Sequence, residues 1–158
     1  MPLWLLVLIA AATIAAAWYF ELVVGYIPCE LCLKERFPYY IGIPIGTLGL
    51  MVATMGGHAN VVRYLALAAG LVFLVGAGLG IYHAGVEWKF WLGPADCAGR
   101  AIGSGKASDL MAQMQSLKVV SCTDAPWRLL GLSFAGWNAV VSLVLAWLGL
   151  QGFANRAA

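Results

Sequence analysis

Charged side chains are scarce in this chain of 158 residues. Only 10% of its residues are Asp, Glu, Lys or Arg, whereas 63% are hydrophobic. Soluble globular domains contain far more polar surface, so this composition excludes an ordinary soluble globule and indicates a protein whose solvent is the lipid bilayer. The formal net charge of +2 is also too small to favour nucleic acid as a partner.

Basic residues are missing from the N-terminal start, Met-Pro-Leu-Trp, and histidine occurs only twice in the chain. A secretory signal peptide has a positively charged beginning and a shorter apolar core, so we interpret the first apolar segment as a retained membrane span. Of the two histidines, His58 is expected in a turn on the side away from the cysteines. A mixed Cys/His metal site is therefore poorly supplied, and we expect no metal.

Four long apolar segments are present, at about residues 3–25, 37–55, 64–82 and 129–150. Each is close to the roughly 20 residues that a helix needs to cross the hydrocarbon layer. We therefore predict an all-α membrane protein, a four-transmembrane-helix bundle that forms a single integral membrane domain over residues 1–158. Glycines that share one face of the second span are expected to allow close helix packing: Gly42, Gly46 and Gly49.

Polar residues concentrate in two connections, 26–36 and 83–128. All four cysteines lie there, two in each connection: Cys29, Cys32, Cys97 and Cys122. Because four spans put both termini on one side, these two redox loops must emerge together on the other side. Within the long loop, apolar residues at helical spacing between Ser108 and Leu117 predict a short amphipathic helix lying on the membrane surface.

The distribution of basic residues conflicts with an extracytoplasmic position for the cysteines. Seven basic residues lie on the cysteine side and two lie opposite, so the positive-inside rule would put the cysteines in the cytoplasm. We predict the opposite orientation. Glu30 and Glu35 offset Lys34 and Arg36 locally, the long loop has five basic and four acidic residues, and paired cysteines are most useful where oxidants operate.

The C-x-x-C pair indicates thiol chemistry. Its two sulfurs can reach one another to form a tunable disulfide, and a nearby cation lowers the pKa of a thiol. Arg36 follows Cys32 by one helical turn, where it would stabilise a thiolate or a reduced anionic carrier. Marking of the membrane interface by snorkelling is the alternative for Arg36 and our preferred interpretation for Lys34. His83, at the end of the third span, could donate a hydrogen bond to a cofactor or mark the interface.

The isolated cysteines of the long loop, Cys97 and Cys122, leave several interpretations open. A structural disulfide between them would contribute about 3 kcal/mol in the chain-entropy picture. A four-cysteine zinc site usually has two close pairs, and this chain has only one. A membrane protein braced by two inert disulfides is the non-enzymatic alternative. A protein that exports reducing equivalents would need an electron source on the opposite face, where the turn at 56–60 has no cysteine.

Three motifs, taken together and in order, resemble one known family. They are Cys29-x-x-Cys32-x-x-Glu35-Arg36 after a first span, a cysteine pair between the third and fourth spans, and Trp127-Arg128-Leu129-Leu130-Gly131-Leu132. This pattern resembles the disulfide bond formation protein B (DsbB) family over nearly the whole chain. The segment from Tyr82 to Trp88, followed by Gly93-Pro94 and Cys97, is similar to the alphaproteobacterial branch of that family.

The resemblance implies a multi-pass protein of the bacterial inner membrane with its cysteine loops facing the periplasm. It implies a thiol:quinone oxidoreductase that reoxidises a DsbA-like periplasmic oxidase of the thioredoxin fold and passes the electrons to ubiquinone or menaquinone. The related DsbI-type branch keeps both cysteine pairs, so a dedicated partner is also possible.

The same resemblance assigns roles to residues. Four cysteines would be catalytic: Cys29, Cys32, Cys97 and Cys122. The partner's thiolate would attack Cys97, and electrons would then cross to the C-x-x-C pair by thiol–disulfide exchange. Cys32 would face the quinone, Arg36 would stabilise negative charge on the sulfur or the ring, and His83 would be a further quinone-binding residue.

Overall fold

A computed structural model describes residues 3–94, 118–119, 122–123, 125 and 127–154. Four helices account for most of them: α1 (Leu3–Leu22), α2 (Glu30–Thr54), α3 (Ala59–Glu87) and α4 (Phe134–Ala154). All four are long and apolar enough to cross a membrane. The predicted all-α architecture with four spans is confirmed.

Close backbone contact joins α3 to α4. A Cβ atom built on Gly149 of α4 would lie 2.5 Å from the Cα atom of Gly70 in α3 and 2.8 Å from the carbonyl oxygen of Ala66. Only a residue without a side chain fits there. Since lipid removes most of the hydrophobic drive for helix association, such van der Waals contact is what holds membrane helices together.

The three glycines of α2 do form a packing face, as predicted. Gly42 lies against the ring of Phe73 in α3, and Gly46 lies against Leu6 and Val7 in α1. The face therefore serves two neighbouring helices. Around it lies the main apolar core of the bundle, which combines residues of all four helices: Leu6, Ala10, Tyr39, Ala69, Phe73, Leu145, Ala146 and Leu148.

Helix α2 begins at Glu30, well before the predicted start at residue 37. Cys29 is its N-cap residue, and its sulfur accepts a hydrogen bond from the backbone N–H of Cys32. Glu30 adds a negative charge in the first turn, where the helix dipole favours it, and forms an ion pair with Lys34. The C-x-x-C motif is therefore the capped first turn of a membrane helix and not part of a loop.

The other spans also differ from their predicted limits. Helix α3 continues to Glu87, so His83 lies inside a helix and not in the long loop. Helix α4 begins at Phe134 because the residues before it form a hairpin of two short strands, β3 (Arg128–Leu129) and β4 (Leu132–Ser133). At the turn of that hairpin, Leu130 and Gly131 both have positive φ angles, 53° and 85°, as a two-residue hairpin of this kind requires.

A second small strand pair ties the long connection to the turn between α1 and α2. Strand β1 (Tyr26–Ile27) runs parallel to β2 (Lys118–Val119). A little further along, Cys122 is buried against Cys29 and Leu31. The prediction that the two redox loops emerge at the same end of the bundle is confirmed for Cys122. Cys97 and the predicted surface helix lie outside the described residues.

Candidate active site at the capped end of α2

The C-x-x-C pair brings two sulfurs together at the N-terminus of α2. The Sγ atoms of Cys29 and Cys32 lie 2.6 Å apart, and Cys29 is buried whereas Cys32 is partly accessible. The hydrogen bond with Cys32 and burial both raise the pKa of the Cys29 thiol above its usual value, and a hydrogen bond with His83 opposes them. Cys29 therefore holds its proton at neutral pH.

His83 reaches the pair from α3. Its Nε2 atom lies 3.8 Å from the Sγ atom of Cys29, and its Nδ1 atom lies 2.7 Å from the Oε1 atom of Glu35 in α2. Only 2% of His83 is exposed. The sequence analysis expected His83 to meet a cofactor; its contacts in the structure are a cysteine sulfur and a carboxylate, and it also forms part of the wall of the adjoining cavity.

Glu35 is a site residue that the sequence analysis missed. Its Oε2 atom accepts a hydrogen bond of 2.9 Å from Nδ2 of Asn138 in α4. The hydroxyl of Tyr39 donates to Oδ1 of Asn138 over 2.7 Å and lies 3.3 Å from Oγ of Ser142. A carboxylate inside a membrane helix costs free energy and is usually paired or functional. This rule could have identified Glu35 as a candidate site residue before the structure was known.

Arg36 is also held in place by a partner on another helix. Its Nη1 atom donates to Oε2 of Glu21 in α1 over 2.5 Å, and its guanidinium lies over the ring of Trp18. The sequence analysis did not foresee this pair. Arg36 is largely buried, since only 11% of its side chain is exposed.

A cavity of about 330 Å³ adjoins these residues, which is within the size range of small-molecule sites. Apolar and aromatic side chains of α1, α4 and the adjoining connections form most of its wall. Seven of its lining residues carry charged, thiol, imidazole or amide groups: Glu21, Cys32, Glu35, Arg36, His83, Glu87 and Asn138. The sequence analysis expected three of them to bind the cofactor, Cys32, Arg36 and His83, and the structure brings all three to one cavity.

Glu87, at the end of α3, is the most unusual member of the cavity wall. It is buried, with 6% of its surface exposed. Its Oε2 atom has no hydrogen-bond partner among the residues that the structure describes. A buried carboxyl oxygen without a hydrogen-bond partner costs free energy. Glu87 is therefore a candidate to bind a proton or a ligand.

The sulfurs of Cys29 and Cys32 and a ring nitrogen of His83 lie within 4.8 Å of one another. A structural zinc site usually takes four ligands, so these three groups alone do not complete one. The expectation that no metal is bound stays a prediction.

The chain is similar to proteins of one known family over nearly its whole length. The family model described as "Disulfide bond formation protein DsbB" matches residues 1–151. A relative named "Disulfide bond formation protein B" from Marinobacter nauticus is 34% identical over 157 residues, covering 92% of this chain and 86% of the relative.

Two further relatives carry the same name. The protein from Nitrosococcus oceani is 30% identical, with 90% of this chain and 83% of the relative covered. The protein from Polaromonas sp. is 27% identical, with 95% and 89% covered. No solved structure matches the chain significantly.

Proposed function

Because the chain belongs to the DsbB family of disulfide bond formation proteins, we propose that it is a thiol:quinone oxidoreductase. It would reoxidise a DsbA-like dithiol oxidase of the thioredoxin fold and pass the electrons through two cysteine pairs to ubiquinone or menaquinone. One observation carries this proposal: Cys32, half of a C-x-x-C pair, lines a largely apolar cavity at the end of a membrane bundle.

The entry of electrons is supported by the packing of Cys122 against Cys29. The partner's thiolate would attack Cys97 in a Cys97–Cys122 disulfide and release Cys122 as a thiolate. Cys122 would then attack Cys29 in the oxidised C-x-x-C pair and release Cys32. The partner's second thiol would then release the partner from Cys97, and the Cys97 thiolate would release Cys29 from Cys122. The partner would leave oxidised and Cys29 and Cys32 would be reduced, so two electrons and two protons would have moved inward.

The cavity fits a quinone headgroup chemically. Its apolar walls suit a ring with a hydrocarbon tail, and a few polar groups at one end can fix the orientation of the ring. The quinone supplies the oxidising power of the reaction, since it takes up two electrons and two protons. Arg36 would stabilise negative charge at the Cys32 end, and its pairing with Glu21 keeps the guanidinium in one position.

The location of the protein follows from the same proposal. The chain is a multi-pass membrane protein with four spans. We place it in the bacterial inner membrane with the C-x-x-C end of α2 facing the periplasm, where the oxidised partner would act.

A membrane protein braced by two structural disulfides remains the alternative. Against it, the C-x-x-C disulfide closes too short a loop to constrain the unfolded chain strongly. It also gives no reason for Cys32 to line a cavity together with Arg36 and three carboxylates.

The test is a turnover assay on protein purified in detergent. A reduced thioredoxin-fold oxidase and ubiquinone-1 are added, and the loss of quinone absorbance is followed over time. We expect turnover in the native protein and none in Cys32→Ser, whereas Lys34→Arg, which changes an exposed ion pair with Glu30, should retain it. Absence of turnover with several partners and quinones, together with four unreactive cysteines, would overturn the proposal and favour the braced protein.

A further inference from the structure

A row of buried polar groups runs from the C-x-x-C pair into the bundle. It begins at the thiol of Cys29, continues through the imidazole of His83 at 3.8 Å and reaches the carboxylate of Glu35 at 2.7 Å. Both nitrogens of the imidazole thus have a partner. A neutral histidine has one donor and one acceptor nitrogen. If Nδ1–H donates to Glu35, Nε2 is left as an acceptor that faces the thiol.

Glu35 is fixed so that it can hold His83 in that state. Asn138 donates to its second oxygen over 2.9 Å, and Tyr39 in turn donates to Asn138 over 2.7 Å. Glu35 and Tyr39 are both buried. A carboxylate that accepts from Nδ1–H fixes the tautomer of an imidazole and stabilises the charge that appears when Nε2 takes up a proton.

The thiol of Cys29 needs such an acceptor. Its hydrogen bond with Cys32 and its burial raise the pKa of Cys29, so the protonated form dominates at neutral pH. A sulfur must lose its proton before it can form a disulfide. Of the described side chains, His83 is the one placed with a basic nitrogen against this sulfur.

We propose that His83 is the general base that removes the proton of Cys29 when the Cys29–Cys32 disulfide forms, and that Glu35 is its positioning residue. This inference rests on the proposed oxidoreductase function. In the step, two S–H bonds break and one S–S bond forms. Two electrons and two protons leave the dithiol, and the quinone is the acceptor of both. Cys32 lines the cavity and releases its own proton there, whereas the proton of Cys29 travels through His83.

Glu87 supplies the next position on that route. Its Oε2 atom is buried without a partner in the described part of the chain, and it lines the same cavity as His83 and Glu35. Glu35 and Glu87 line one cavity, so carboxylate oxygens lie on the way from His83 to that cavity.

Several groups can influence the pH dependence of this site. The titratable and charged side chains that surround the contact between Cys29 and His83 come from every adjoining element: Glu21 of α1, Cys32, Glu35 and Arg36 of α2, Glu87 of α3, and Cys122 of the long connection. Helix α4 contributes the neutral amide of Asn138. Any test must therefore change His83 or Glu35 directly and compare matched variants over a range of pH.

The first test reads the Cys29 thiol without any quinone. Reduced protein is treated with iodoacetamide from about pH 6 to about pH 10, the range in which thiols titrate, and the initial labelling rate of Cys29 is measured by mass spectrometry. We expect His83→Gln to label Cys29 about 10-fold more slowly at the lower pH values, which is the effect of a one-unit rise in its pKa. His58→Gln, at the opposite end of the bundle, is the matched control and should label like the native protein.

The second variant tests the positioning role. Gln at position 35 keeps a hydrogen-bond acceptor for His83 but removes the charge, so Glu35→Gln should slow Cys29 labelling by a smaller factor than His83→Gln. Glu30→Gln, which changes an exposed carboxylate on the same helix, should not slow it. In a single turnover with ubiquinone-1, the His83→Gln defect should shrink as the pH rises, because the thiol then ionises without a base.

The outcomes separate the two proposals. Equal Cys29 labelling in native, His83→Gln and Glu35→Gln proteins of unchanged thermal stability would overturn the role of His83, even if the native enzyme reduces quinone. If His83→Gln does not fold, the labelling profile of Glu35→Gln decides. If the native protein does not reduce quinone at all, the oxidoreductase proposal fails, and a slower labelling of Cys29 in the variants would still show that His83 activates this thiol.

Discussion

Nη1 of Arg36 lies 2.5 Å from Oε2 of Glu21, and this ion pair ties the first turns of α2 to the end of α1. The sequence separates the two residues by a turn and a short strand. Their pairing makes Glu21 a part of the cavity wall and explains how a guanidinium can be largely buried at the end of a membrane bundle.

Loss of the Glu21 carboxylate should destabilise the protein. Glu21→Gln leaves the buried guanidinium with a neutral partner, and because about a quarter of Glu21 remains accessible to solvent, we expect a loss of about 1–2 kcal/mol in the free energy of unfolding. The measurement is denaturant unfolding in detergent. Glu30→Gln breaks the exposed pair with Lys34 and should cost about 0.5 kcal/mol or less. Equal effects of the two variants would contradict a structural role for the pair.

Arg36→Lys should raise the KM for quinone while the protein stays folded. A lysine keeps the charge but not the planar donor group that binds Glu21, so the charge is no longer fixed beside Cys32. We expect the KM for ubiquinone-1 to rise about 10-fold, the equivalent of one charged hydrogen bond of about 1.4 kcal/mol. Steady-state kinetics with varied quinone measure it. An unchanged KM would exclude Arg36 from the quinone site.

Gly149→Ala should separate α3 from α4. The added methyl group would meet the Cα atom of Gly70 at 2.5 Å, so the helices must move apart, at a cost of about 1–3 kcal/mol. Gly78→Ala is the matched control, because a Cβ atom there has no neighbour within 4 Å and alanine is the better helix former. The two variants should therefore shift the melting temperature in opposite directions. A shift of the same sign and size in both would contradict the close helix contact.

The membrane orientation can be tested with single cysteines. In a variant whose four native cysteines are replaced by serine, Lys34→Cys marks the C-x-x-C end of α2 and His58→Cys marks the turn before α3. A maleimide that cannot cross the inner membrane should label Lys34→Cys from the periplasm and should reach His58→Cys only after the membrane is broken. The reverse pattern would vindicate the positive-inside count and place the redox end in the cytoplasm.

The helix count and the shared end of Cys29 and Cys122 were predictable because both depend on long apolar runs and on the even number of spans. The start of α2 was not. Its charged residues were interpreted as a loop because one-dimensional spacing does not reveal that Glu35 pairs with His83 and Arg36 with Glu21. Only the pair of Glu30 with Lys34 has a spacing that the sequence shows. Each charge is acceptable in the helix only through a partner.

His83 is a second residue whose neighbours could not be predicted from the sequence. Its position at the end of the third span was clear from the sequence, and its contact with a cofactor stays a prediction. Its neighbours within the protein, Cys29 and Glu35, are 54 and 48 positions away. Which sulfur a histidine meets depends on how α3 rotates against α2, and that rotation is set by contacts such as Gly42 against Phe73.

The parallel pairing of Tyr26–Ile27 with Lys118–Val119 has a kinetic consequence. It anchors the chain shortly before Cys122, so that in the proposed exchange this cysteine and Cys29 meet as two ends of a short tether and not as separate reactants. Their effective concentration would be on the order of millimolar or higher. A soluble partner would then have to stay bound only for the first sulfur exchange, since the transfer onward is intramolecular and does not wait for a second collision.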